Sequence, residues 1–160
     1  MREYIIQMDK NFGKRIILFV CTGNTCRSPM AERYFNAVLR RDESVIAVSA
    51  GLYADAEAMM SYGSANALAN AGVDAADFRS RQLDAQMCKD AELIIGMGAN
   101  HCREIVNRFP ECAGKVSALL DHSCGGDVAD PFGGNESIYR HCLEQMIPAL
   151  ECIAEKFWKD

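Results

Sequence analysis

The sequence predicts a single α/β domain, built as a parallel sheet with helices on both faces. Short runs rich in branched apolar residues alternate along the chain with segments of helical period. Such alternation calls for crossover connections, which keep the strands parallel and lay helices over both sides of the sheet. At 160 residues, 49% of them hydrophobic and 24% charged, the chain fits one domain long enough to bury a core of its own.

Ile16 to Val20 is an apolar run set off by charges before it and by Thr-Gly-Asn after it, and it predicts a buried parallel strand. From Ser28 to Arg40 the period changes: Met30, Ala31, Tyr34, Val38 and Leu39 recur at helical spacing, and Pro29 suits a first turn, where its missing N–H costs nothing. Val45 to Ala50 predicts a second strand. Ser61 to Ala71 predicts a helix ended by Gly72, and Leu83 to Ala91 and Asn100 to Phe109 predict two more. Glu92 to Met97 and Lys115 to Leu119 complete four strand candidates. Asn135 to Trp158 predicts a long last helix with Ile138, Cys142, Met146, Leu150, Ile153 and Phe157 on one face and a kink at Pro148. Residues 1–15 stand apart as an N-terminal extension, and residues 16–160 form the domain. In open sheets of this kind ligands lie at the carboxyl ends of strands, where strand order reverses. The segment after Val20 is the first place to look.

A formal net charge of −5 argues against nucleic acid or an anionic membrane as a general partner, because both interactions rest on excess Lys and Arg. Any anion must be held by a local site. The opening stretch MREYIIQMDKNFGKR lacks the long apolar run of a signal peptide or membrane span, so a cytoplasmic chain is expected. Its eight cysteines are then expected as reduced thiols, most of them packed as small hydrophobes. Structural zinc would need tight pairs such as C-x-x-C, and there are none.

Cys21-Thr-Gly-Asn-Thr-Cys-Arg27 separates a cysteine from an arginine by five residues. Cys102 and Arg108 repeat the spacing, but within HCREIVNR, which has helical period, no glycine and no strand before it. The first copy differs because a strand enters it and a helix leaves it. Gly23 and Asn24 can take the left-handed conformation that turns backbone N–H groups inward, forming an anion cradle. The helix dipole adds to it, and Arg27 can grip two phosphate oxygens with its planar fork. The same field favours thiolate over thiol at Cys21 and makes it a nucleophile. Ser28 is placed either to donate a hydrogen bond to that sulfur or to cap the helix. Neither a metal nor a cofactor is required, since N–H groups and guanidinium meet the charge on a transferring phosphoryl group. The chemistry expected is attack of Cys21 on phosphorus, then hydrolysis of the cysteinyl-phosphate by water. Asp130, in Asp-Pro-Phe-Gly-Gly, is the candidate general acid, on a loop that could close over a substrate; a plain turn aspartate is the alternative.

VCTGNTCRSPMAE, from Val20 to Glu32, together with DPFGG, from Asp130 to Gly134, resembles the low-molecular-weight protein phosphatases in motif, order and separation. The resemblance implies a cytoplasmic, metal-free protein phosphatase with a four-stranded parallel sheet, acting as a monomer on phosphorylated proteins and releasing inorganic phosphate. It implies Cys21 as nucleophile, Arg27 as transition-state clamp and Asp130 as acid and then base. The substrate's phosphate and its surroundings would be met by Thr22, Gly23, Asn24, Thr25, Cys26 and Ser28, with Asn24 and Ser49 bracing the loop. Cys26 would be an oxidation guard able to form a reversible disulfide with Cys21; a packing thiol is the alternative. Many tyrosine-specific members carry isoleucine at the position of Thr25 and an aromatic wall directly after Asp-Pro. The combination of Thr25 with Phe132 and two glycines is more like the bacterial protein-arginine phosphatases, so phosphoarginine is favoured over phosphotyrosine. Tyr53 is a candidate for another wall of the site or a plain surface aromatic. Arsenate reductases resemble the same loop and need further cysteines near the sheet end for a disulfide relay; Cys88 raises that reading, but the loop continues Arg-Ser-Pro as in the phosphatases and no second cysteine follows Cys88 closely, Cys102 lying beyond a predicted strand; a phosphoprotein-binding module would keep Arg27 but have no use for Cys21 or Asp130.

Overall fold

A computed structural model describes residues 13–159. Within them the chain order is β1 (Arg15–Cys21), α1 (Arg27–Tyr34), β2 (Val45–Gly51), α2 (Tyr62–Asn70), α3 (Ala85–Asp90), β3 (Leu93–Gly96), α4 (Ala99–Arg108), β4 (Val116–Ala118) and α5 (Glu136–Phe157). Among the described residues these strands form one parallel sheet of order β2-β1-β3-β4. β1 pairs with β2 on one side, Cys21 opposite Gly51, and with β3 on the other. Strand order therefore reverses at β1, and the loop after it opens at that switch point.

β1 is buried on both faces, and its alternation divides the core. Ile17, Phe19 and Cys21 face one cluster, completed by Met30, Phe35, Leu68 and the α5 residues Met146, Leu150 and Ile153. Leu18 and Val20 face a second, with Met87, Cys88 and Ile105 from α3 and α4. Opposite pointing of successive strand side chains produces this split, and helices cover both halves.

Helix starts follow capping chemistry. Asp84 and Asn135 accept hydrogen bonds from the Met87 and Ile138 amides, at 2.8 and 3.0 Å, and Ser61 does so from Ser64 at 3.3 Å. The Asp84 cap explains why α3 begins later than the expected Leu83: Leu83 is still extended, its amide on the Gly51 carbonyl at 2.9 Å. α2 ends at Gly72 as expected, with the Val73 amide returning to the Leu68 carbonyl at 2.9 Å.

The segment Phe35–Leu39 continues α1 as a wider π-helical turn closed by Arg40 N–H to the Phe35 carbonyl, 2.8 Å, a feature its apolar spacing did not reveal. It presents Asn36, whose amide group bonds both the N–H and the carbonyl of Ala47 at 2.9 and 2.8 Å, satisfying the free edge of β2. α5 runs as one helix through the exposed Pro148. Its expected face needs one correction: Ile138 is exposed and Tyr139 and Leu143 are buried instead, because Ile138 packs outward over the backbone of Gly134. Arg15, expected in the extension, pairs with Val45 as the first residue of β1; the rest of that segment up to Phe12 lies outside the described residues. No helix of the described residues is long and apolar enough to cross a membrane.

Candidate active site

The loop that leaves β1 at Cys21 enters α1 at Arg27. Of the two residues expected in the left-handed region, only Asn24 adopts it, at φ 55°; Gly23 does not. Asparagine tolerates this conformation, and here its side chain is held from three directions. Its amide donates to Ser28 Oγ at 2.8 Å and Ser49 Oγ at 2.9 Å, and its oxygen accepts from the Arg81 amide at 2.9 Å. Ser49 donates onward to Glu32 at 3.1 Å, a buried carboxylate whose charge is met by Arg33 at 3.0 Å and Arg81 at 3.6 Å. Behind the loop stands Gly51: a Cβ there would lie 2.7 Å from the Thr22 carbonyl oxygen and 2.9 Å from the Asn24 nitrogen. Only a residue without a side chain lets β2 approach so closely.

Among the described residues, none accepts a hydrogen bond from the backbone amides of residues 22–28. They curve from the strand end to the head of α1, beside the positive end of its dipole. Cys21, 2% exposed, has its sulfur 2.9 Å from Ser28 Oγ. The Asn24 amide already occupies an acceptor position on that hydroxyl, so the hydroxyl hydrogen is left for the sulfur or for the Ala50 carbonyl at 3.5 Å. Ser28 is the second residue of α1, and the helix is preceded by Cys26 without a side-chain cap. The capping alternative for Ser28 therefore falls.

Arg27 is buried; its Nη1 donates to the Val128 carbonyl at 3.1 Å and its Nη2 lies 3.7 Å from Asp130 Oδ2. One guanidinium thus joins the loop after β1 to the loop that carries Asp130. Asp130 is more than half exposed, and its Oδ1 accepts from the Phe132 amide at 3.1 Å, an Asx turn around Pro131. Phe132 itself is 82% exposed.

Thr25 is half-buried, its carbonyl bonded by the Ser61 amide at 2.9 Å. Cys26 is buried with its sulfur 3.4 Å from Ser61 Oγ and 3.8 Å from the Tyr139 hydroxyl; it and Cys21 are both free thiols. Thr22 is exposed, with Oγ1 3.0 Å from His101 Nε2. Burial, then the nearby Arg27 charge, hold the His101 imidazole below its usual pKa. Tyr53, mostly exposed, donates its hydroxyl to Glu104.

The structure thus links Cys21, Ser28, Asn24 and Ser49 in one buried chain of contacts and pairs Arg27 with Asp130, while Tyr53 is tied to Thr22. Glu32, Gly51, Arg81, His101 and Glu104 were not anticipated. Gly51 and Glu32 carry no local signal, since their partners are set by strand register; His101 and Glu104 had one, a shared helical face, whose target only the sheet order reveals. The cysteine a reductase would need as a relay is poorly placed: Cys88 is fully buried, and desolvation pushes its thiol up to about 12.

A parallel α/β sheet with a free thiol at its switch point, an arginine and unclaimed amides around it and a carboxylate above defines the cysteine-dependent phosphatases. More particularly, residues 16–160 match the family model described as low molecular weight phosphotyrosine protein phosphatase, and the chain belongs to that family of protein phosphatases. A protein-arginine-phosphatase of Geobacillus stearothermophilus is 39% identical over 88% of this chain and 94% of its own. A solved low molecular weight protein tyrosine phosphatase from T. tengcongensis is 35% identical, with TM-score 0.84 over 89% of this chain and 99% of its own. A cysteine-to-serine mutant of the YwlE arginine phosphatase, solved with a phosphorylated active-site serine, is 34% identical, with TM-score 0.84 over 91% of this chain and 97% of its own.

Proposed function

We propose that this phosphatase hydrolyses phosphoarginine on proteins, with Cys21 as nucleophile. The observation that carries the reading is the Cys21 sulfur 2.9 Å from Ser28 Oγ, at the start of the loop whose amides are unclaimed. The amides of residues 22–28 and the Arg27 fork hold the three outer phosphoryl oxygens, whose charge is delocalised in a loose transition state. As the S–P bond forms and the P–N bond breaks, Asp130 gives its proton to the leaving nitrogen. Water then attacks phosphorus, Asp130 takes the proton back, and Cys21 leaves as thiolate, stabilised by the Ser28 hydroxyl. Asn24 and Ser49 keep the loop in shape. The phosphorylated serine of the YwlE mutant supports a covalent step at the corresponding position.

Thr25 is the residue that turns the choice toward phosphoarginine. Its hydroxyl and small bulk suit a thin polar guanidino group, where isoleucine would suit a flat apolar ring, and the Geobacillus relative is named for the arginine reaction. Side-by-side hydrolysis of matched phosphoarginine and phosphotyrosine peptides tests this. A higher kcat/KM on phosphoarginine is expected, and Thr25→Ile should move the ratio toward phosphotyrosine by about 10-fold. A phosphotyrosine preference in the unaltered protein would establish the second reading, favoured by the T. tengcongensis relative and by exposed Tyr53 and Phe132, which could flank a ring. The enzyme acts as a monomer in this reading, which sedimentation in the presence and absence of phosphate would check.

A further inference from the structure

Tyr53 is 66% exposed, yet both its backbone amide and its hydroxyl are held. Its amide donates to the Thr22 carbonyl at 2.9 Å, and the preceding Leu52 amide to the Cys21 carbonyl at 3.0 Å. Its hydroxyl donates to the Glu104 carboxylate. Arg108 lies over the ring with its guanidinium carbon 4.6 Å from the centroid, donates to Glu104 Oε1 at 2.5 Å and to the Leu52 carbonyl at 2.8 Å. His101, Glu104 and Arg108 fall at helical spacing on one face of α4, and the first of them reaches Thr22 Oγ1 at 3.0 Å. The segment Leu52–Tyr53 is therefore clamped between the phosphate loop and a single face of α4.

An exposed ring contributes little to the core, and immobilising it costs side-chain entropy. Such an arrangement is understandable where the ring must be presented in one orientation to something that binds. The ring is backed by Arg108, hooked to the second residue of the phosphate loop and exposed over most of its surface.

We propose that Glu104 and Arg108 are positioning residues that fix Tyr53 as the wall against which the stem of the phosphorylated side chain packs, with His101 anchoring their helix to the loop. The inference rests on the loop being the phosphate site and is indifferent to whether the substrate is phosphoarginine or phosphotyrosine. The wall touches what lies beyond the phosphate, and the cradle touches the phosphate alone. Disabling the wall should therefore weaken peptide binding and leave inorganic phosphate unaffected.

The test compares Tyr53→Phe, Glu104→Ala and the double variant, each measured for kcat and KM on a phosphopeptide and for Ki of inorganic phosphate. Each single variant should raise peptide KM by about two- to tenfold, the fold-change of one hydrogen bond, with kcat nearly unchanged. Phosphate Ki should not move. The double variant should be no worse than the single ones, since both break the same bond, and Glu104→Gln, which keeps an acceptor for the Tyr53 hydroxyl, should recover most of the affinity. Unchanged peptide KM in Tyr53→Phe overturns the inference, as does a parallel rise in phosphate Ki or strict additivity in the double variant. Absence of phosphatase turnover in the unaltered protein would instead strike the phosphate-site reading itself.

Discussion

The chain contains the same cysteine-to-arginine spacing twice, Cys21 to Arg27 and Cys102 to Arg108, and the two copies share almost nothing in structure. The first spans a strand end, a loop and a helix start, so its cysteine and arginine bracket a run of unclaimed amides. The second lies inside α4, where the amides from Cys102 to Arg108 bond to preceding carbonyls of the same segment and none is left for an anion. Cys102 instead packs against Gly96, and burial holds its thiol above the ordinary range. Spacing alone is thus empty; what makes an anion site is backbone that secondary structure has not consumed. The second copy is still not idle, because Arg108 backs Tyr53 at the rim of the first.

Exchanging equivalent atoms in the two copies breaks this comparison most sharply. Cys21→Ser should lower turnover of an aryl phosphate by about 10⁴-fold or more, as losing a nucleophile typically does, while Cys102→Ser should leave turnover close to that of the unaltered protein. Comparable losses in steady-state assays of the two would deny the first copy its special standing. Arg27→Lys should follow with a loss in kcat of about 10²–10³-fold, because a point charge cannot reproduce the planar fork; retained kcat with raised KM would make Arg27 a binding group only.

Much of this was legible in the sequence, for a physical reason. The strands and helices were visible because each buries a face with its own period, and Cys21, Arg27 and Ser28 were visible because loop chemistry is local. The long-range supports were not. Glu32 meets Ser49 only after α1 has been laid over β2, and Gly51 meets Thr22 only because Cys21 pairs with Gly51 in register. Gly23 misled for the opposite reason: permissive residues adopt the unusual conformation only where something holds it, and the holding groups surround Asn24. Ile138 fitted an apolar stripe but begins the helix beside Gly134, before that stripe has turned into the core.

Two glycines allow the same comparison at smaller amplitude. Gly51 backs the first copy and Gly96 the second, where a Cβ would lie 2.8 Å from Cys102 Sγ. Gly51→Ala would push a methyl group against the backbone of the loop, and displacing catalytic geometry by even about 1 Å can cost roughly 10²-fold in rate. Gly96→Ala would push mainly on one short side chain and should appear as about 1–3 kcal/mol of lost stability in urea unfolding, with kcat changed far less than in Gly51→Ala. The reverse ranking in kcat would mean that the register of β3, not the approach of β2, shapes the loop.

The smallest effect concerns His101, the neighbour of Cys102 that serves the first copy. Its Nε2 is 3.0 Å from Thr22 Oγ1, while its buried Nδ1 has no partner among the described residues. Burial and Arg27 depress its pKa below 6.5, against weaker opposition from Asp127, Asp130 and Glu104. In the unfolded chain the imidazole takes up a proton near pH 6.5, whereas the folded protein resists it. Between that pH and the lower folded value the unfolded state binds more protons, so stability falls as pH falls and is unaffected above the window. One such group contributes a slope of at most about 1.4 kcal/mol per pH unit. His122, half-buried and facing Lys156, shifts in the same direction, so the unaltered protein carries both contributions. Urea unfolding from pH 7.5 down to 5.5 should show a shallower decline in His101→Asn than in the unaltered protein, and a shallower one again in His122→Asn, each variant losing its own contribution. Identical slopes in all three would mean that neither imidazole stays neutral in the folded state, and that Thr22 is held at low pH by a charged partner.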